Sequence, residues 1–376
     1  MSRPLPPFAH LRNLTDEGGL YEHARGAYPR RDRGYCLDDV ARALVVVSRE
    51  EEPDPTRDGL AGQYLSFVLA AQTDDGRFRN RRSANLVWHG LPSIEDCWGR
   101  ALWGLGAAVS GHGEPGHCEL ALTAFELGAR WRSPHLRAMA FAAIGAAEIL
   151  DVRPDHRGAR ELIAAAARMI GGREGAGSWL WPEPRLTYAN AVLPEVLLAA
   201  GAALDAPSLV ADGLRLLGWL LDVQTRNGHL SVVPVGGRGP ADPVPGFDQQ
   251  PIEVAALADA CGRAFALTGQ QRLAEGVDLT DACVLGNRTA HPPPGRRSGT
   301  RVLGQLVARA DRDRVGRHRR LRDARRFRRP DEAAGHRCRL RDVRPHAGAP
   351  AHRAGARSGP LPGRYARSVR SGRGSR

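Results

Sequence analysis

Lysine is absent from this chain: all 54 basic residues are arginine. So uniform a usage marks a GC-rich gene rather than selection for guanidinium chemistry. No apolar run reaches the roughly 18 residues that a membrane span requires. The opening MSRPLPPFAHLRNL also lacks the apolar core of a secretion signal. No membrane partner is therefore expected. The six cysteines (36, 97, 118, 261, 283 and 338) form no CxxC pair and no metal-ligand spacing. A reducing cytoplasm is the expected setting, with no metal site. HExxH, Walker, GxSxG and Gly-rich dinucleotide signatures are missing, and strand-like alternation is scarce, so no cofactor is expected.

Charge is unevenly spread. The net value is +13, yet residues 288–376 hold 26 Arg against 6 acidic residues, while residues 1–287 hold 28 Arg against 35. The chain reads as an acidic body followed by a very basic tail.

Helical periodicity runs from about residue 35 to 286. It predicts helices near 37–51, 57–73, 95–110, 116–131, 135–151, 157–171, 190–204, 207–225, 250–268 and 270–285. Gly, Pro and Asp clusters separate them, as at 111–116 and 236–246. A short hairpin arm is expected at 229–236. Ten helices in five consecutive pairs imply an all-α domain of helical hairpins over residues 1–286. Asp38-x-x-x-Arg42-Ala-Leu recurs as Asp96-x-x-x-Arg100-Ala-Leu. Helices that are apolar nearly all round after such a start should be inner ones.

Five pairs fall one short of a closed six-hairpin toroid. Beyond Asn287 the periodicity ends; no Trp follows Trp219 and no Ile follows Ile252. Residues 287–376 read as an irregular Arg-rich tail, of the composition a GC-rich gene yields out of frame. A frameshift near 285–295 that replaced a sixth hairpin is the expectation. The rival is an arm for nucleic acid, a partner only the tail could hold. One Phe and one Tyr for stacking argue against it.

Three helix starts share one construction: YCLDDVARALVVV (35–47), SIEDCWGRALWGLG (93–106) and FDQQPIEVAALADACGRAFALTG (247–269). Parallel inner helices would bring their N-termini to one end. Asp38, Asp39, Glu95, Asp96, Asp248 and Glu253 are thus the catalytic candidates. Cleaving a glycosidic bond needs one protonated carboxyl and one ionised partner, and crowding supplies the protonated member. Acids at a helix start also cap it and complement its dipole, and Asp four residues before Arg is an ordinary ion pair. The convergence of three such starts favours a site.

Trp88, Trp98 and Trp181 stand beside polar residues and can stack on sugar faces, although most Trp are core residues. Trp103, deep in an apolar run, is expected in the core. Gln249, Gln250 and Asn190 both donate and accept, which suits vicinal hydroxyls; Asn190 could equally be a helix cap. His23 lies near the proposed rim.

Together these segments resemble a bacterial family of six-hairpin, glycosidase-like toroid proteins often labelled glycosyltransferases. The resemblance rests on residues 10–44, GRFRNRR (76–82), SIEDCWGRALWGLG, SPHLRAMAFAAIGAAEIL (133–150), WLWPEPRLTYANAVLPEVLLAAG (179–201) and FDQQPIEVAALADAC (247–261). It implies an (α/α)6 toroid and a role with carbohydrate. Val40, Cys97–Trp98 and Ala189 depart from the family pattern, and its last polar helix start, beyond residue 300, is missing.

The leading expectation is a glycoside hydrolase-like enzyme acting on an oligosaccharide or polysaccharide. Asp96 or Glu95 would be the acid, and Asp39 or Asp248 the base or nucleophile. A noncatalytic glycan-binding module, with a glycosyltransferase as candidate partner, is the alternative. An intrinsic glycosyltransferase comes last, since no strand–helix alternation offers a nucleotide site.

Overall fold

The computed structural model describes residues 8–50, 54–111, 113–171, 177–242 and 247–285, all within one compact unit. The expected Arg-rich tail and its out-of-frame reading lie outside the described residues.

A short helix α1 (Phe8–Asn13) precedes ten longer ones: α2 (Leu37–Arg49), α3 (Pro55–Ala71), α4 (Asp96–Ser110), α5 (Pro115–Gly128), α6 (Leu136–Val152), α7 (Arg157–Gly171), α8 (Val192–Ala203), α9 (Pro207–Gln224), α10 (Pro251–Thr268) and α11 (Gln271–Leu285). Local chemistry sets their ends. Proline opens α3, α5, α9 and α10, where its missing N–H costs nothing. Asp54 caps α3 by accepting from the Thr56 and Arg57 amides at 2.7 and 3.0 Å. Gly269, left-handed at φ 72°, closes α10.

The even-numbered helices are the inner layer. Every residue of α6 from Leu136 to Leu150 is buried, as only a helix surrounded by protein can be. Each inner helix packs on the next along the chain, α2 on α4, α4 on α6, α6 on α8 and α8 on α10, while α3, α5, α7, α9 and α11 each back their own partner. The described residues thus form five hairpins of an (α/α)6 toroid. The approach of α4 to α6 is backbone-close. A methyl group on Gly106 would stand 2.2 Å from the Gly145 carbonyl oxygen, and one on Gly145 would stand 2.2 Å from that of Leu102.

Connections differ at the two ends of the inner helices. Turns leading out of them are short, whereas those leading into α2, α4 and α10 are longer and carry two-residue strands: Thr15–Asp16 with Gly19–Leu20, Ala24–Arg25 with Tyr28–Pro29, Tyr35–Cys36 with Arg81–Arg82 and then Trp88–His89, and Thr225–Arg226 with His229–Leu230. The arm expected at 229–236 therefore begins earlier, and its Val232 and Val233 are buried. A buried ionic clamp joins the C-terminal parts of α2, α4 and α6 to the middle of α10. Arg49 pairs with Glu148 at 2.8 Å and Asp259 at 2.9 Å, and Ser110 of α4 donates to Glu148 at 3.1 Å. Among the described residues no helix is long and apolar enough to cross a membrane.

Candidate active site

The starts of α2 and α4 meet through one guanidinium. Arg100, one turn into α4, places Nε 3.3 Å from Asp38 Oδ1 and Nη2 3.8 Å from Asp96 Oδ2. It is buried, with its charge 4.4 Å from the centroid of the Phe141 ring. Burial, then nearby Arg42, lower its pKa from the usual arginine value. One guanidinium spanning both carboxylates keeps them within the roughly 9.5 Å over which paired acids cleave glycosidic bonds.

Each aspartate has a second hold. Asn80 donates to Asp38 Oδ2 at 3.1 Å, and its own Oδ1 accepts from the Asp38 amide at 3.4 Å. Tyr188 Oη donates to Asp96 Oδ2 at 2.6 Å, and burial, followed by that bond, raises the tyrosine well above its ordinary range. Asp39 pairs with Arg42 and stays 25% exposed. Burial raises its pKa; Arg42 opposes this, and Asp38 and Glu22 add to it. A partly exposed carboxyl whose pKa is raised by burial is a candidate general acid.

Tyr188 lies in an irregular connection that Arg137, at the start of α6, holds in place. Arg137 Nε donates to the Tyr188 carbonyl at 2.8 Å. Its Nη2 donates to Thr187 Oγ1 at 3.2 Å and Asn190 Oδ1 at 3.0 Å, and pairs with Glu183 at 2.9 Å. Asn190 then donates to Glu253 Oε2 through Nδ2 at 2.8 Å and through its amide at 3.3 Å. Burial pushes Glu253 up to about 7, against those two bonds; its Oε1 has no hydrogen bond.

Asp38, Asp39, Asp96, Asn190 and Glu253 therefore belong to one linked polar network at the N-terminal ends of the inner helices. Asn190 and Glu253 are its sealed base, at 0% and 2% exposure. Asn190 does not cap α8, whose cap position is Ala191. The side chains of Glu95, Asp248, Gln249, Gln250, His23 and Trp88 make no hydrogen bond or ion pair with this network among the described residues. Glu95 is exposed at the α4 cap position without a capping bond. Asp248 is exposed with φ 55°. Gln249 donates to Ser231 Oγ at 3.3 Å, and Gln250 precedes α10 without capping it. His23 is largely exposed, 3.6 Å from Glu22. Trp88 is half-buried, edge-on to Phe67 at 5.1 Å.

Two tryptophans expected to touch sugar are core residues. Trp98 has no exposed surface and donates to the Gly128 carbonyl at 3.0 Å. Trp181 is buried under Arg137 and stacks on Trp219 at 6.1 Å. Trp98, on an inner helix, faces the neighbouring helices, and Trp181, in the connection before α8, is covered by Arg137 and Trp219. Trp103, expected in the core, is half-buried and stacks on Phe141 at 5.9 Å.

Glu22, Cys36 and Asp39 offer ligand atoms within 4.8 Å of one another. Arg81 and Arg42 already pair with the two acids, and burial, with Asp39 and Asp38, pushes the Cys36 thiol up to about 12. The cluster is neutralised by its own arginines and suits a cation poorly. Asn80, Tyr188 and Arg137 escaped the sequence reading. Each stood in a notable stretch, Asn80 in GRFRNRR, Arg137 in SPHLRAMAFAAIGAAEIL and Tyr188 two residues before Asn190.

No protein-family profile matches this sequence, and no curated protein does. Solved structures do match the fold. A sugar epimerase from a ruminal bacterium superposes with a TM-score of 0.62 at 11% identity, covering 82% of this chain and 95% of its own. Cellobiose 2-epimerase from Spirochaeta thermophila gives 0.61 at 13% identity, covering 84% and 94%. A GH76 α-mannanase from Bacteroides thetaiotaomicron gives 0.55 at 11% identity, covering 82% and 95%. The chain has the (α/α)6 toroid fold of six-hairpin, glycosidase-like enzymes.

Proposed function

We propose that this protein is a carbohydrate-active enzyme that cleaves glycosidic bonds by acid–base chemistry in the cleft where α2 and α4 begin. The observation that carries this reading is Asp39 beside the Asp38–Arg100–Asp96 bridge. A partly exposed carboxyl whose pKa is raised by burial stands next to two carboxylates sharing one cation. Asp39 delivers its proton to the glycosidic oxygen as the C1–O bond breaks. Asp96, held by Tyr188 and Arg100, takes the proton of an attacking water or attacks C1 itself. Glu253 makes no contact with substrate; it anchors the Asn190–Arg137 scaffold that fixes Tyr188.

The same geometry supports a second reading, a noncatalytic glycan-binding module serving a glycosyltransferase, because Asp38, Asp39 and Asp96 each already contact an arginine. One experiment separates the two. A glycan screen of the full chain, with reducing-end release and product analysis by NMR, is run beside Asp39→Asn and Asp96→Asn. Hydrolysis predicts a loss of roughly 10²–10⁴-fold in turnover for either variant, with glycan affinity within about threefold. Unchanged turnover in both variants sinks the catalytic assignment. Binding without turnover in the parent chain leaves the module.

A further inference from the structure

The loops around the start of α2 are rich in arginine. Arg25 lies in the hairpin Ala24–Arg25/Tyr28–Pro29, and Arg30, Arg31 and Arg33 follow in the turn that leads to Tyr35–Cys36. Arg81 and Arg82 form the strand paired with Tyr35–Cys36, the residues that deliver Asp38 and Asp39. These side chains are not spent on packing: Arg30 is 48% exposed, Arg31 70%, Arg33 54% and Arg81 52%.

The nearby carboxylates do not balance them. Asp32 serves Arg30 at 3.0 Å and Arg33 at 3.3 Å at once. Asp16, 3.7 Å from Arg31, already accepts from Tyr21 and from Tyr35 at 2.8 Å. Glu22 is taken by Arg81, and exposed Arg25 has no ion-pair partner among the described residues. Asp38 and Asp39 are answered from below by Arg100 and Arg42. Six guanidinium groups thus share four carboxylates on these loops, Asp16, Glu17, Glu22 and Asp32, and the excess positive charge stands beside the start of α2. Aromatic surface accompanies it: Tyr28 is 78% exposed in the same hairpin, and Arg82 lies 5.4 Å from the Trp88 ring.

We propose that this arginine rim selects anionic saccharides, placing a ring carboxylate or sulfate on Arg30, Arg31 and Arg33 while a neighbouring glycosidic oxygen reaches Asp39. This rests on the carbohydrate reading and names its substrate class. A nucleic acid brings the same charge, but its continuous phosphates would pass over Asp38, Asp39 and Asp96 and be repelled. A saccharide can keep its charge on the rim and present an uncharged oxygen to the acids.

The test is hydrogen exchange and affinity measurement on the full chain. The probes are a galacturonate hexamer, a neutral cellulose-type hexamer, dextran sulfate beside plain dextran, and a single-stranded DNA oligomer. The expected result is protection over residues 22–36 and 79–91 with the uronate hexamer or with dextran sulfate, whichever acid group fits. Affinity should be at least about tenfold above the matching neutral glycan. It should fall at least about tenfold in R30A/R31A/R33A and weaken steeply with added salt. Because these three side chains are exposed, the variant keeps its core. Equal protection by neutral glycans, protection confined to residues 287–376, an unaffected triple variant, or tighter protection of the rim by DNA each overturns the proposal. An anionic chain bound at the rim but never cleaved keeps this inference and removes the hydrolase. A neutral chain cleaved as fast as a charged one does the reverse.

Discussion

Replacing Gly106 with alanine pits helix propensity against packing, and the structure says which wins. Alanine is worth about 1 kcal/mol over glycine in a helix interior. At Gly106, however, the added methyl would lie 2.2 Å from the Gly145 carbonyl oxygen and 2.7 Å from its carbonyl and α carbons. Those atoms are backbone and cannot rotate away. Helices α4 and α6 must separate, loosening Leu102, Leu105 and Phe141 among the fully buried side chains. Overpacking a core ordinarily costs about 1–3 kcal/mol, and a clash between two backbones belongs at the upper end. A net loss of about 2–3 kcal/mol is expected, a large part of a domain's margin of roughly 5–15 kcal/mol. Gly59 is the control: it lies inside α3 with nothing within 4 Å of an added methyl. G59A should gain about 0.5–1 kcal/mol. Urea unfolding followed by circular dichroism reads both midpoints. If G106A matches or exceeds the parent in stability, the close α4–α6 contact is wrong, whatever G59A does.

Two other predictions concern buried charge. Glu253 titrates near 7 when folded and near an ordinary glutamate value when unfolded, so the native state holds the extra proton between those limits. Stability should therefore decline as pH rises from about 4.5 to 7, by about 3 kcal/mol. E253Q, whose amide oxygen still accepts from Asn190, should flatten that segment and be the more stable protein at pH 8; parallel pH profiles would argue against a sealed carboxyl. R49A takes the cation from Glu148 and Asp259, both buried, and should cost about 3–5 kcal/mol by denaturant unfolding. A loss under about 1 kcal/mol would show that the clamp contributes little.

The ten long helices were legible because burying one layer against another imposes an apolar period on both, and that period survives in the sequence. The strands were not, since two residues are too short to show alternation. Asp38, Asp39 and Asp96 could be placed by their position at apolar helix starts. Their partners could not. The repeat suggested that each Asp pairs with the Arg four residues on, yet Arg42 pairs with Asp39, and Arg100 reaches across to Asp38 as well as back to Asp96. Such crossings are set by where neighbouring helices lie. Glu253 and Trp98 show the same limit: polar or aromatic at a helix start, each is sealed by packing with segments far along the chain.

The Arg49–Glu148–Asp259 clamp has a consequence for the order of assembly. Each hairpin forms from neighbours in sequence, so α2 and α3 can meet as soon as both are made. Arg49 and Asp259, however, are 210 residues apart. At synthesis rates of about 5–20 residues per second, roughly 10–40 s pass between the appearance of one and the other. Throughout that interval the first hairpin carries a cation whose carboxylate on α10 does not yet exist. The earliest piece of the ring to be made is among the last to be secured, and its open edge is where a nascent chain of this protein is most exposed to wrong partners.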